Sequence, residues 1–164
     1  MGWQDSARWN LQCLKEQPKL IDRYLSAYRD LVFMPDPSPV QCQALLWCIE
    51  NIVPVNQFRR HNWVGVVFEH LVTHFHSEVE RLYRELRLKR PILGYNWFPR
   101  ASHTAQKAEG RTVDVLNKWR HQLSDREIEE IDSIVQGFAL DFYDRGPYPS
   151  LEKLGRHIEL PAYG

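Results

Sequence analysis

The stretch from Trp63 to Leu71 reads WVGVVFEHL. Valines at 64, 66 and 67, followed by Phe68, are apolar on both faces of an extended chain, as an internal strand of a parallel sheet requires. The expectation is a strand from Trp63 to Glu69. It ends on a carboxylate at the edge where α/β folds place their ligands. No second run of this quality occurs in the 164 residues, and no glycine-rich phosphate loop precedes it. A parallel strand needs neighbours and crossover helices. The sequence therefore reads as a single partial domain over residues 1–164, the C-terminal portion of something larger. Its strand should be completed by a partner that supplies strands, or by self-association.

Outward from that run the pattern is helical. Trp9, Leu11, Cys13 and Leu14 give residues 6–16 a partly apolar helical face. Pro18 suits the first turn of a second helix, in which Leu20, Ile21, Tyr24, Leu25, Tyr28 and Leu31 recur at helical spacing. The segment FMPDPSP, with three prolines, is a loop. A helix over residues 40–51 carries the strongly apolar ALLWCIEN, and Pro54 should break or kink it. After the strand, Ser77 with Glu80 spells a capping box for a helix through Val79, Leu82, Tyr83 and Leu86. Residues 90–110 read as an irregular basic segment and residues 112–119 as helical. Ser124 with Glu127 spells a second capping box, ahead of Ile128, Ile131, Ile134, Val135 and Phe138. Beyond Gly146 a short helix and loose ends are expected.

Composition narrows the functional classes. Lys plus Arg equals Asp plus Glu at 21 each, so the basic excess of a nucleic-acid binder is missing. No apolar stretch approaches the roughly 18 residues that a membrane span needs. Three cysteines, Cys13, Cys42 and Cys48, leave one over in any disulfide scheme and form no CxxC pair. Reduced thiols in a cytoplasmic setting fit that arithmetic best.

Several side chains carry potential chemistry. His70, His74 and His76 form H-x-x-x-H-x-H, but a strand end and a turn should keep them from converging on a metal, so no metal site is assigned. Glu69 is either a general base or a structural acceptor, and the structural role is the better match for a lone carboxylate. Trp47 and Trp119 sit among aliphatics and read as core anchors. The segment NWFPRASHTAQKAEGR brings Arg100, Ser102, Thr104, Lys107 and Arg111 together on one loop, the donor types that hold a phosphate.

The order of these pieces resembles the C-terminal part of sulfotransferases that use 3′-phosphoadenosine 5′-phosphosulfate. That family ends a strand in a Tyr-Glu-Asp-Leu-like signature, and VVFEHL stands in its place. Glu69 and Leu71 match, whereas Phe68 and His70 replace the tyrosine and aspartate. ALLWCIEN precedes that strand, EVERLYREL follows it, and PRASHTAQK is similar to the family's basic loop. NKWRHQLSDREIEEIDSIVQGFALDFY resembles the closing Trp-Lys/Arg-x-x-Leu-Ser segment and last helix. The resemblance spans residues 40–143, with residues 1–39 as a variable helical region and 144–164 as a tail.

The resemblance implies a P-loop-kinase-like parallel sheet flanked by helices, of which this chain is a mostly helical portion with one strand. It also implies sulfuryl transfer to a hydroxyl or amine acceptor. Arg100, Ser102, Thr104, Lys107 and Arg111 inherit a role at the donor's 3′-phosphate. The family's phosphate loop, mid-domain Arg/Ser pair and catalytic base have no counterpart in this sequence, so no catalytic residue is assigned. The alternative is a non-enzymatic helical module that uses its aromatic surface to bind a protein.

Overall fold

The computed structural model describes residues 3–89, 116–143, 145–146 and 148–158. In chain order these form α1 (Trp3–Lys15), α2 (Pro18–Leu20), α3 (Arg29–Val32), α4 (Pro39–Gln57), α5 (Phe68–Thr73), α6 (Phe75–Glu85), α7 (Asp125–Gly137) and α8 (Leu151–Leu154). A π-helical turn at Ile21–Leu25 and 3-10 turns at Ser26–Tyr28, Phe58–Arg60 and Lys118–His121 complete the regular structure. The chain is mostly helical, and no strand occurs among the described residues. An isolated antiparallel bridge joins Tyr143 and Pro149. The residues divide into two compact units, 1–63 with 123–164, and 64–122.

The first unit is organised by α4. Cys42, Ala44, Leu45, Leu46, Cys48, Ile49 and Ile52 are all buried, too many for one face of a helix. Two helices cover it: α1, through Ala7 and Leu11, and α7, through Ile134 and Val135. Phe138 is fully buried and stacks on Tyr28, ring centroids 4.8 Å apart.

The start of α4 is fixed by local chemistry that the sequence also spells. Ser38 is its N-cap, Pro39 opens the first turn, and Gln41 completes a capping box. The Ser38 hydroxyl accepts from the Gln41 amide at 3.3 Å and donates to Glu130 Oε2 of α7 at 3.0 Å. One hydroxyl thus terminates one helix and ties it to another.

Four expectations from the sequence are corrected. First, residues 63–67 have no ladder among the described residues, and the following FEHLVT is helix α5 rather than strand. Extended backbone becomes a strand only through a partner, whereas the helix closes its own bonds: Leu71 donates to the Val67 carbonyl at 2.9 Å. Glu69 in its first turn also suits the positive end of the helix dipole. Second, Pro54 does not break α4, which continues to Gln57. Pro54 and Glu50 are both exposed, so the carbonyl that loses its amide partner is left to water.

Third, Ser77 does not cap a helix. It lies inside α6, whose N-cap is His74, and its hydroxyl donates to the His74 carbonyl at 2.9 Å. Fourth, the helix expected through residues 20–31 is broken into π, 3-10 and α turns. The changes of winding keep Ile21, Leu25 and Val32 all buried. The Ser124–Glu127 capping box at the start of α7 is as read, with both reciprocal bonds made.

Two helices stop without glycine. After α7, Leu140 donates to the Val135 carbonyl and Ala139 to that of Gln136, with Ala139 at φ 55. After α6, Leu88 donates to the Tyr83 carbonyl and Arg87 to that of Arg84, with Arg87 at φ 54. Both are Schellman closures in which a residue with a side chain takes the left-handed position. In α7 the glycine stands two residues earlier instead: a Cβ at Gly137 would lie 2.8 Å from Leu31 Cδ1.

Replacing Ser38 with Ala removes the cap and the α4–α7 hydrogen bond together. The expected loss is about 2 kcal/mol, measurable by urea unfolding, with Ser38→Thr retaining most of the stability.

Burial pushes the Cys48 thiol from its ordinary 9.0 up to about 12. The folded state therefore keeps a proton that the unfolded chain releases. This contribution is complete below about pH 9 and is lost as pH rises towards about 12, with a slope of up to about 1.4 kcal/mol per pH unit. Urea midpoints should fall more steeply in wild type than in Cys48→Ala across that window.

Candidate functional site

Arg100, Ser102, Thr104, Lys107 and Arg111, the residues assigned to a phosphate from the sequence, lie outside the described residues. So do residues 112–115 of the helix expected over 112–119. Leu116 and Asn117 are helical, and Lys118–His121 forms a 3-10 turn.

Within the second unit the structure builds a site that sequence reading passed over. Glu78 and Arg81 on α6 are 3% and 6% exposed, an uncommon depth for charged groups. Arg81 Nη2 donates to Glu78 Oε2 at 2.8 Å, and Nε lies 3.3 Å from the same oxygen. Arg81 Nη1 donates to Glu85 Oε2 at 2.8 Å. Nη2 also donates to the Gly65 carbonyl at 2.8 Å.

The guanidinium thus joins two turns of its own helix to the extended run before α5. Its planar fork serves three acceptors in a way that an ammonium cannot. Burial acts to lower its pKa, but hydrogen bonds and charge from Glu78 and Glu85 outweigh that and raise it above its ordinary value. The group stays a cation at any accessible pH. The sequence signal was present as E-x-x-R-x-x-x-E, spacing that puts both carboxylates within reach of one arginine on a helix. What sequence could not supply was the burial.

Glu69 is also buried, at 9% exposure, in the first turn of α5, and the Thr73 hydroxyl donates to its carbonyl at 2.8 Å. His70 lies on α5, not at a strand end, and its ring centroid is 5.5 Å from that of His74. Among the described residues no group of three His, Cys, Asp or Glu is placed to hold a metal. Trp47 is not a core anchor. It is 37% exposed and meets Tyr143 edge-on at 5.7 Å, on the one side of α4 that is open. Trp119 is half-buried, with Arg120 over its ring at 5.3 Å.

A second candidate site lies in the first unit, where Phe58, Arg59, His61 and Trp63 face Glu152 and Arg156 across a cavity of about 840 Å³. No helix among the described residues is long and apolar enough to cross a membrane. No family model matches the chain, and no curated protein or solved structure matches it.

Arg81→Leu strands the Glu78 carboxylate in the interior and frees the Gly65 carbonyl. The expected cost is about 3 kcal/mol in thermal or urea unfolding, and Glu78→Leu with Arg81→Leu should recover much of it. A loss in the double variant equal to the sum of the losses in Arg81→Leu and Glu78→Leu would mean that the pair carries no coupling.

Proposed function

We propose that the chain is the C-terminal segment of a sulfotransferase that uses 3′-phosphoadenosine 5′-phosphosulfate, and that its basic loop contributes to binding the donor's 3′-phosphate. The observation that carries the reading is the order of elements along the chain. An apolar helix, α4, is followed by the uncharged run at 63–67, then by α5 and by α6, which carries EVERLYRE of the EVERLYREL segment. A Trp-Arg-x-x-Leu-Ser segment then enters a serine-capped last helix, α7.

In that reaction an acceptor hydroxyl or amine loses its proton to a base as its heteroatom bonds to sulfur. The S–O bond to the bisphosphate breaks, and cations steady the leaving phosphate. Arg100, Lys107 and Arg111 supply cations, while Ser102 and Thr104 supply directional donors. No group in this sequence is assigned as the base or as the clamp on the sulfuryl group. Residues 63–67 fit the reading as a strand position whose neighbours come from a strand-supplying partner or a second copy.

A second reading, a helical protein-interaction module, draws on a specific observation. Val66 and Phe68 are 45% and 61% exposed on the same short segment, an apolar surface that a protein partner would cover.

Titration with adenosine 3′,5′-bisphosphate separates the two. The sulfotransferase reading expects weak, saturable binding that Lys107→Gln and Arg111→Gln each reduce at least about fivefold. Binding that ignores both substitutions, or no binding, overturns it. Radiolabelled donor should give no transfer to phenols, alcohols or amines with the 164-residue chain alone, because the electrostatic clamp is usually the largest catalytic contribution.

A further inference from the structure

The cavity of about 840 Å³ in the first unit lies in the size range of small-molecule sites. One wall is aromatic. The His61 ring stacks on Trp63 at 4.8 Å with an 18° interplanar angle, and Phe58 meets Trp63 edge-on at 6.3 Å. Trp63 nevertheless remains 46% exposed, so much of its surface still faces water. The other wall is the turn around α8, from Leu151 to Ile158.

One guanidinium joins the walls. Arg59 Nη2 donates to the Gly155 carbonyl at 3.2 Å and to the Arg156 carbonyl at 2.9 Å. Those bonds hold the guanidinium in place, and among the described residues its Nε and Nη1 donors make no hydrogen bond. The Arg156 guanidinium pairs with Glu152 at 2.8 Å, both groups being largely exposed. Such a pair is weak and readily exchanged for a better anion. Two arginines against one glutamate leave the lining cationic.

We propose that this cavity binds a planar aromatic anion, a ring carrying a phosphate or carboxylate. The ring packs against the Trp63–His61 stack, and its anionic group takes the free donors of Arg59 and the guanidinium of Arg156. Aromatic faces select the ring over an aliphatic body of the same size. The guanidinium forks select the planar or tetrahedral oxyanion over a neutral group. All of the residues involved belong to the first unit, and none belongs to the basic loop, so the site stands or falls apart from the sulfuryl-transfer reading.

Phenyl phosphate is the probe, with cyclohexyl phosphate and phenol as comparators, read by calorimetry on the full chain. Phenyl phosphate should bind at least about tenfold more tightly than either comparator. Trp63→Leu, which keeps apolar volume without the ring, and Arg156→Gln should each weaken it at least about fivefold, with circular dichroism unchanged. Cyclohexyl phosphate binding equally well, undiminished affinity in either variant, or the absence of saturable binding would overturn the proposal. A variant that loses its helical signal is replaced by Trp63→Phe or Arg156→Lys, for which the same weakening is expected in smaller measure.

Discussion

Helix α4 cannot exist alone in water. Its buried residues wrap around most of its circumference, so leaving either side bare would expose several large aliphatics, each about 1.5–3 kcal/mol of lost burial. That constraint explains why α1 and α7, distant in sequence, both pack on it, and why its N-cap serine also bonds to α7. It also explains the irregular winding between α2 and α3. The backbone there follows the positions that Ile21, Leu25 and Val32 must occupy, at the expense of regular hydrogen bonding.

The second unit is organised by charge as much as by apolar contact. A buried arginine that satisfies two carboxylates and a carbonyl is directional where aliphatic packing is not. Replacing such a group with hydrocarbon is often neutral for stability. Its contribution is better seen as geometry: it fixes where the chain at Gly65 meets α6. The aromatic cavity of the first unit uses the same device, since Arg59 holds two carbonyls and thereby sets the distance between the cavity walls. In both places a guanidinium ties its own helix or turn to backbone carbonyls of a segment distant in sequence.

Helices with strong local signals were legible in the sequence. The apolar body of α4, the Pro18 start and the Ser124 capping box all follow from residue types at fixed spacing. Residues 63–69 were misread because period and composition describe what a strand looks like, whereas a strand exists only through its partner. Ser77 has the right letters for a cap, but His74 already occupies that position one turn earlier. Trp47 shows the limit of neighbour-based reading, because a helix surrounded on two sides still has an open stripe. The Glu78–Arg81–Glu85 cluster was legible in spacing and illegible in burial, which only tertiary structure decides. Of the candidate sites, the aromatic cavity had no local signature, since its walls are contributed by residues 58–63 and 151–158.

The ends of α6 and α7 carry a consequence for the order of folding. Glycine at a left-handed position stops a helix by itself, but Arg87 and Ala139 have no such preference and resist it by roughly 1 kcal/mol. A nascent α7 therefore has no reason of its own to end at Gly137, and in isolation it can run on through Phe138 and beyond. The turn becomes favourable only once Leu140 is seated in the interior, where it is fully buried. Termination is then a late event that depends on docking, and the segment after α7 should acquire its direction together with the core rather than before it.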